Sequence, residues 1–249
     1  MKHRAILATL EIVVVAAFLA CAACTSSRDI PRADSKVVPP SEVFDFRVLY
    51  GQNCAGCHGV EGKGGAAIAL ANPVFLAIAD ESVIRRTASN GVPGTPMPAF
   101  AQSAGGMLTD KQIDVIVQGI RSWARPDAFN TQTPPPYIAP APGDPQRGSD
   151  AYRTYCSSCH GTDGRGGSKA SSIVNGSYLA LVSDQQLRTV VIAGRPELGS
   201  PDWRGDVTGR PMSAQEVSDV VAWLSSQRPK FPGQPYPVAS TSPANGGFR

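Results

Sequence analysis

The sequence of 249 residues predicts an all-α protein built from one small helical unit used twice. Three observations carry that prediction. The second half repeats the first at an offset of 102 to 104 residues, and a repeat of this kind sets the architecture before any single element is considered. Apolar residues recur at helical spacing behind Ser, Thr and Asp residues suited to cap helices. No segment alternates convincingly as a strand would.

The elements follow in chain order. Residues 1–24 carry Lys2, His3 and Arg4 ahead of an apolar stretch from Ile12 to Ala23, the pattern of a secretory signal and too short for a bilayer span. Phe18-Leu19-Ala20-Cys21 and Cys21-Ala22-Ala23-Cys24 both resemble a bacterial lipobox, so a lipid anchor is expected at Cys21 or Cys24. An ordinary cleaved signal or a short uncleaved anchor is the alternative. Each option places the chain in the periplasm or on the outer face of the cytoplasmic membrane. Residues 25–40 are polar and proline-bearing and read as a tether.

The first unit covers residues 41–126. Ser41 is expected to cap its first helix, which runs towards Tyr50. Asp80 precedes a second helix. Thr109-x-x-Gln112 opens the last one, with Ile113, Ile116, Val117 and Ile120 on one face. Residues 127–143 form a proline-rich linker; six prolines between Thr131 and Pro145 predict an extended, semi-stiff segment with little that packs. The second unit covers residues 144–229. Asp144-Pro145 starts its first helix, Ser183-x-x-Gln186 a middle one and Ser213-x-x-Glu216 the last, with Val217, Val220, Val221 and Leu224 on the matching face. Trp123 and Trp223 are expected to pack the last helix of each unit against the first. Residues 230–249, rich in Pro, Gly and Ser, form a tail.

The chemistry sits in two pentapeptides, Cys54-Ala55-Gly56-Cys57-His58 and Cys156-Ser157-Ser158-Cys159-His160. Cys-x-x-Cys-His is a site of covalent c-type haem attachment: two thiols form thioethers to one porphyrin, and the adjoining histidine becomes the proximal iron ligand. The chain has six cysteines and three histidines, and none beyond residue 24 lies outside these motifs. A redox dithiol or a zinc site is the alternative. The distance of about 100 residues between the pairs, and the His-Gly that follows each, favour two haems.

These residues resemble class I c-type cytochromes in tandem, over roughly residues 41–126 and 144–229. The resemblance implies two all-α cytochrome c domains, each a few helices around one covalent haem, with terminal helices crossing. It also implies a methionine as sixth iron ligand from a loop before the last helix. Met97, between Pro96 and Pro98, matches that position; Met107 is a weaker rival. In the second unit Ser200 stands opposite Met97, and Pro201 opposite Pro98. Met212 is the methionine near that site, and by alignment it corresponds to Leu108. It is expected either to ligate iron through a rearranged loop or to pack, with a five-coordinate haem as the alternative to ligation.

The implied function is electron transfer between a redox-protein donor and acceptor outside the cytoplasmic membrane, in a respiratory or photosynthetic chain, without substrate chemistry. A di-haem enzyme, peroxidase-like or thiosulfate-oxidising, would need an open second haem and distal groups for which no histidine or cysteine is spare. A docking subunit of a membrane respiratory complex is a third reading. The formal net charge of +3 and the absence of a basic run give no indication of nucleic acid.

Overall fold

The computed structural model describes residues 37–125, 132–205, 207 and 209–229. The expected signal segment with Cys21 and Cys24, most of the expected tether and the expected tail at 230–249 lie outside these residues. The described residues from Ser41 onward group as one compact unit, so both repeats belong to a single packed body. The described residues are helical with no sheet; isolated bridges such as Ala101 with Leu108 and Arg195 with Ser200 are the extended pairings. None of the described helices is long and apolar enough to cross a membrane. The all-α class predicted from the sequence is the class observed.

In repeat one, helix α1 (Phe46–Asn53) leads into the single-turn α2 (Ala55–His58). Helices α3 (Pro73–Ile78), α4 (Glu81–Asn90) and α5 (Asp110–Arg121) follow. Repeat two has the same order: α6 (Pro145–Tyr155), α7 (Ser157–His160), α8 (Gly176–Leu181), α9 (Asp184–Ala193) and α10 (Ala214–Ser226). Most predicted caps are present. Asp80, Asp144 and Ser183 each accept a backbone N–H of the first turn. Thr109 with Gln112 and Ser213 with Glu216 form reciprocal capping boxes.

Ser41 is a correction. It lies in a 3-10 turn, Pro40–Glu42, and α1 is capped by Asp45, whose carboxylate accepts Val48 N–H at 3.0 Å. Asp45 sits at the spacing an N-cap needs from that donor, whereas Ser41 lies outside the helix. The short helices α3 and α8 carry no strong periodicity. Asn72 and Asn175 create them, each accepting two N–H groups of the first turn.

The terminal helices cross as expected. Trp123 meets Phe46 and Tyr50 with ring centroids 5.3 and 5.1 Å apart, and Trp223 stacks on Tyr152 at 4.2 Å. In repeat two the crossing is so tight that a Cβ on Gly148 would lie 2.0 Å from the Asp219 carbonyl oxygen. Asp219 locks this crossing. Its side chain, 4% exposed, accepts Asp144 N–H at 2.7 Å, Arg147 Nε and NH2 at 2.8 and 3.0 Å, and Gln215 Nε2 at 2.9 Å. A buried carboxylate is tolerated when its lone pairs are filled in this way.

The linker differs from expectation. Pro135 is buried, and Tyr137 packs on the core. Arg188, 2% exposed, donates to the Pro136 carbonyl at 2.8 and 3.1 Å, to the Tyr137 carbonyl at 3.0 Å and to Ser218 Oγ at 3.1 Å. Its counterpart Arg85 instead pairs with Asp114, the residue aligned with Ser218. A buried guanidinium facing a serine has donors to spare, and backbone carbonyls of the linker take them. Proline content concealed that the linker's carbonyls remain acceptors.

Candidate functional site

Each pentapeptide begins where the first helix of its repeat ends. Cys54 N–H still bonds Tyr50 O at 2.8 Å, and Cys156 N–H bonds Tyr152 O at 2.9 Å. The chain then makes one further turn, with His58 N–H on Cys54 O at 2.9 Å and His160 N–H on Cys156 O at 3.0 Å. That turn gathers two thiols and one imidazole. Gly59 and Gly161, both at φ 79°, end it in a backbone conformation that favours glycine. The hydroxyl of Tyr50 donates to the Gly59 carbonyl at 2.9 Å, and Tyr152 donates to Gly161 likewise.

The imidazoles are oriented identically. His58 Nδ1 lies 2.8 Å from the Ile68 carbonyl, and His160 Nδ1 lies 2.8 Å from the Ser171 carbonyl. A carbonyl can only accept, so Nδ1 carries the proton and Nε2 keeps its lone pair for a metal. Burial holds His58 below the ordinary imidazole value against the hydrogen bond to Ile68, and Arg195 adds to that depression. The neutral ring is the ligating form.

All four cysteines are unpaired thiols. Burial, then the neighbouring thiol, pushes Cys54 and Cys156 each up to about 11. A setting that disfavours thiolate suits neutral thioethers better than zinc ligation. Among the described residues no three His, Cys, Asp or Glu side chains converge to hold a metal ion, so the two cysteine pairs do not form one zinc site. Paired free thiols beside a histidine with a fixed tautomer fit a covalently attached haem at either motif.

The other sides of the two sites differ. Met97 is half-buried in an extended loop; its carbonyl accepts Val92 N–H at 3.0 Å and its own N–H donates to Thr95 Oγ1 at 3.2 Å. Met107 is 82% exposed. Gly91 and Gly194 show that the two loops are equivalent. A Cβ on Gly91 would lie 2.6 Å from the Met97 carbonyl, and one on Gly194 2.4 Å from the Pro201 carbonyl, so in each repeat the loop closes onto the end of the preceding helix. Ser200 exchanges two backbone hydrogen bonds with Arg195, each 3.0 Å, as Met97 exchanges one with Val92. Met212 is 6% exposed, as is Leu108, and its N–H donates to the Trp203 carbonyl as Leu108 N–H donates to Phe100, both at 2.8 Å. Met212 therefore occupies the core position that its alignment with Leu108 indicates.

Two participants were not anticipated from the sequence. The carbonyls of Ile68 and Ser171 orient the histidines, and backbone acceptors leave no residue-type signal. Arg195 reaches across to repeat one, donating to the carbonyls of Gly65 at 2.8 Å and Ala66 at 3.1 Å. Its signal was an arginine where repeat one has Val92. Asn72 Nδ2 makes a second cross-repeat bond, to the Ala193 carbonyl at 3.0 Å.

A helical repeat carrying Cys-x-x-Cys-His at the end of its first helix, with the histidine held through Nδ1, defines a c-type cytochrome. The family model for cytochrome c oxidase, cbb3-type, subunit III matches residues 43–118 and again 143–224. The chain belongs to that family of cytochromes c, and membership implies covalently bound haem. It is 24% identical over 182 residues to the cytochrome bc1 complex cytochrome c subunit of Mycobacterium bovis, covering 71% of this chain and 60% of the relative. It is 30% identical over 131 residues to the Cbb3-type cytochrome c oxidase subunit CcoP of an Azospirillum species, covering 48% of this chain and 40% of the relative. The chain thus spans less than two thirds of the length of these relatives. A structure of a Kuenenia stuttgartiensis reducing HAO-like protein complex superposes with a TM-score of 0.45 and 21% identity, covering 78% of this chain and 100% of that one.

Proposed function

We propose that the chain is a di-haem cytochrome c that passes electrons between redox-protein partners outside the cytoplasmic membrane, in association with a membrane respiratory complex. The observation that carries this reading is the duplicated motif with each histidine held identically: Cys54, Cys57 and His58 in one repeat, Cys156, Cys159 and His160 in the other. The bc1 and cbb3 subunits named above support a respiratory setting. A bound haem supplies a one-electron iron couple.

The chain's own residues do the remainder. The four thiols anchor the two groups, and His58 and His160 present Nε2 to the metal. Met97 is the sixth ligand in repeat one, held on an extended loop by its flanking prolines. In repeat two Met212 is the candidate ligand, and its buried place opposite Trp203 favours packing unless the loop rearranges on haem insertion. A lipid anchor at Cys21 or Cys24 would hold the protein at the membrane surface.

Mass spectrometry of the mature protein counts covalent haems and reads the N-terminus. A redox titration followed optically and by electron paramagnetic resonance gives each midpoint and spin state. Two haems, with Met97→Leu altering the signals of one, is the expected result; a change on Met212→Leu would assign Met212 to the other. One haem, or none, sinks the di-haem reading. Met212→Leu without spectral change removes Met212 as a ligand and leaves repeat two with an open or weakly held sixth position. That second outcome would favour the enzyme reading only if peroxide or thiosulfate turnover accompanied it.

A further inference from the structure

The loop that presents Met97 in repeat one has a different occupation in repeat two. At the positions of Val92, Gly94 and Met97 it carries Arg195, Glu197 and Ser200. Backbone bonds in both directions between Arg195 and Ser200 close it into a tight hairpin, with the turn Pro196–Leu198 at its tip. From that hairpin the Arg195 side chain crosses to repeat one and donates to the Gly65 and Ala66 carbonyls.

That segment is the one that orients His58. Ala67 N–H bonds the Cys57 carbonyl at 2.8 Å, and the next residue, Ile68, gives the carbonyl that accepts from His58 Nδ1. Arg195 thus clamps a four-residue stretch fastened at its far end to the attachment motif. The Arg195 side chain is only 15% exposed, so its charge is incompletely screened, and it forms an ion pair with the side chain of the exposed Glu197. The corresponding stretch in repeat two ends at Ser171, and its histidine is more open: His58 is buried, whereas His160 is half-buried.

We propose that the repeat-two loop equivalent to the Met97 loop serves as a clamp on repeat one, in which Arg195, with Glu197 as its charge partner, is the positioning residue that sets the reduction potential of the site at His58. This rests on the di-haem reading. A cation near a haem ligand favours the reduced, less positive iron, and an anion favours the oxidised one. Arg195 acts on the site through its contacts to Gly65 and Ala66, and Glu197 acts on it with the opposite sign by offsetting the Arg195 charge.

The test is a redox titration of the full-length holoprotein with Arg195→Gln, Arg195→Lys and Glu197→Gln, alongside His160→Met to identify the repeat-two wave by changing its axial ligand. Arg195→Gln should shift the repeat-one midpoint down, Glu197→Gln should shift it up, and Arg195→Lys should return it most of the way to the wild-type value. The repeat-two midpoint should move less in all three. Shifts in the same direction for the glutamine variants, or none, overturn the proposal, because a merely structural contact carries no sign. A larger shift at repeat two overturns it as well. Two haems in the wild type, with a repeat-one midpoint that none of the substitutions moves, sinks this inference alone; wild-type protein without two haems sinks the reading beneath it too.

Discussion

Replacing Asp219 with alanine should destabilise the protein by about 3 kcal/mol at neutral pH. Asp219 joins helices α6 and α10 by accepting four hydrogen bonds, two of them from the Arg147 guanidinium. Breaking a buried ionic network costs about 3–5 kcal/mol. The lower end applies because Arg147 is 59% exposed and regains water, leaving the Asp144 N–H and the Gln215 amide as the groups that lose most. In a unit of this size about 3 kcal/mol lowers the melting temperature by about 6–12 °C. The loss should also depend on pH. Burial works to raise the Asp219 value, but the bonds from Arg147, Asp144 and Gln215 outweigh it and hold the carboxyl below its ordinary value. A depressed carboxylate stabilises the fold fully above its unfolded pKa and loses that contribution as pH falls through the lower, folded value. Guanidinium melts of wild type and Asp219→Ala at pH 7 and in an acid series should therefore converge towards low pH. Equal midpoints at pH 7, or a gap that stays constant into acid, would refute the reasoning.

Three further outcomes follow from packing and capping. Gly148→Ala places a methyl against the Asp219 backbone, which cannot yield, and should cost at least about 3 kcal/mol, whereas Gly119→Ala meets first the Phe46 ring, a side chain packed on Tyr50 and Trp123 that must shift, and should cost about 2 kcal/mol; thermal melts of both variants check the order. Arg188→Met removes the donors to Pro136 and Tyr137 and should cost about 2 kcal/mol while exposing the linker to protease, which limited proteolysis reads directly. Thr109→Ala opens the capping box of α5 and should cost about 1 kcal/mol, measured by denaturant midpoint.

Much of the fold and of the candidate site is legible in the sequence because both are written locally and twice. Thr109 with Gln112 and Ser213 with Glu216 announce their helices with two groups each, and the motif cysteines need only one turn of chain to come together. Ser200 opposite Met97 identifies the equivalent loops, and Gly91 and Gly194 hold those loops alike. Three things were not legible. Ser41 was the cap expected for the first helix, and the structure gives that role to Asp45, a choice that backbone geometry makes. The carbonyls of Ile68 and Ser171 belong to the main chain and leave no trace in residue type. Arg188 and Arg195 each donate to backbone carbonyls far away in sequence, a match that depends on how the chain packs.

The hold of Arg188 on the linker bears on how weakly the repeats need to attract one another. In repeat one the same position is an ion pair between Arg85 and Asp114; with serine in place of the aspartate, repeat two holds the incoming chain at Pro136 and Tyr137. Fixing part of a connector shortens the free span between the modules it joins and raises their effective concentration, so that modest contacts such as those of Asn72 and Arg195 form as intramolecular events. A duplicated domain tied in this way acquires a defined partner before its own interface has become strong.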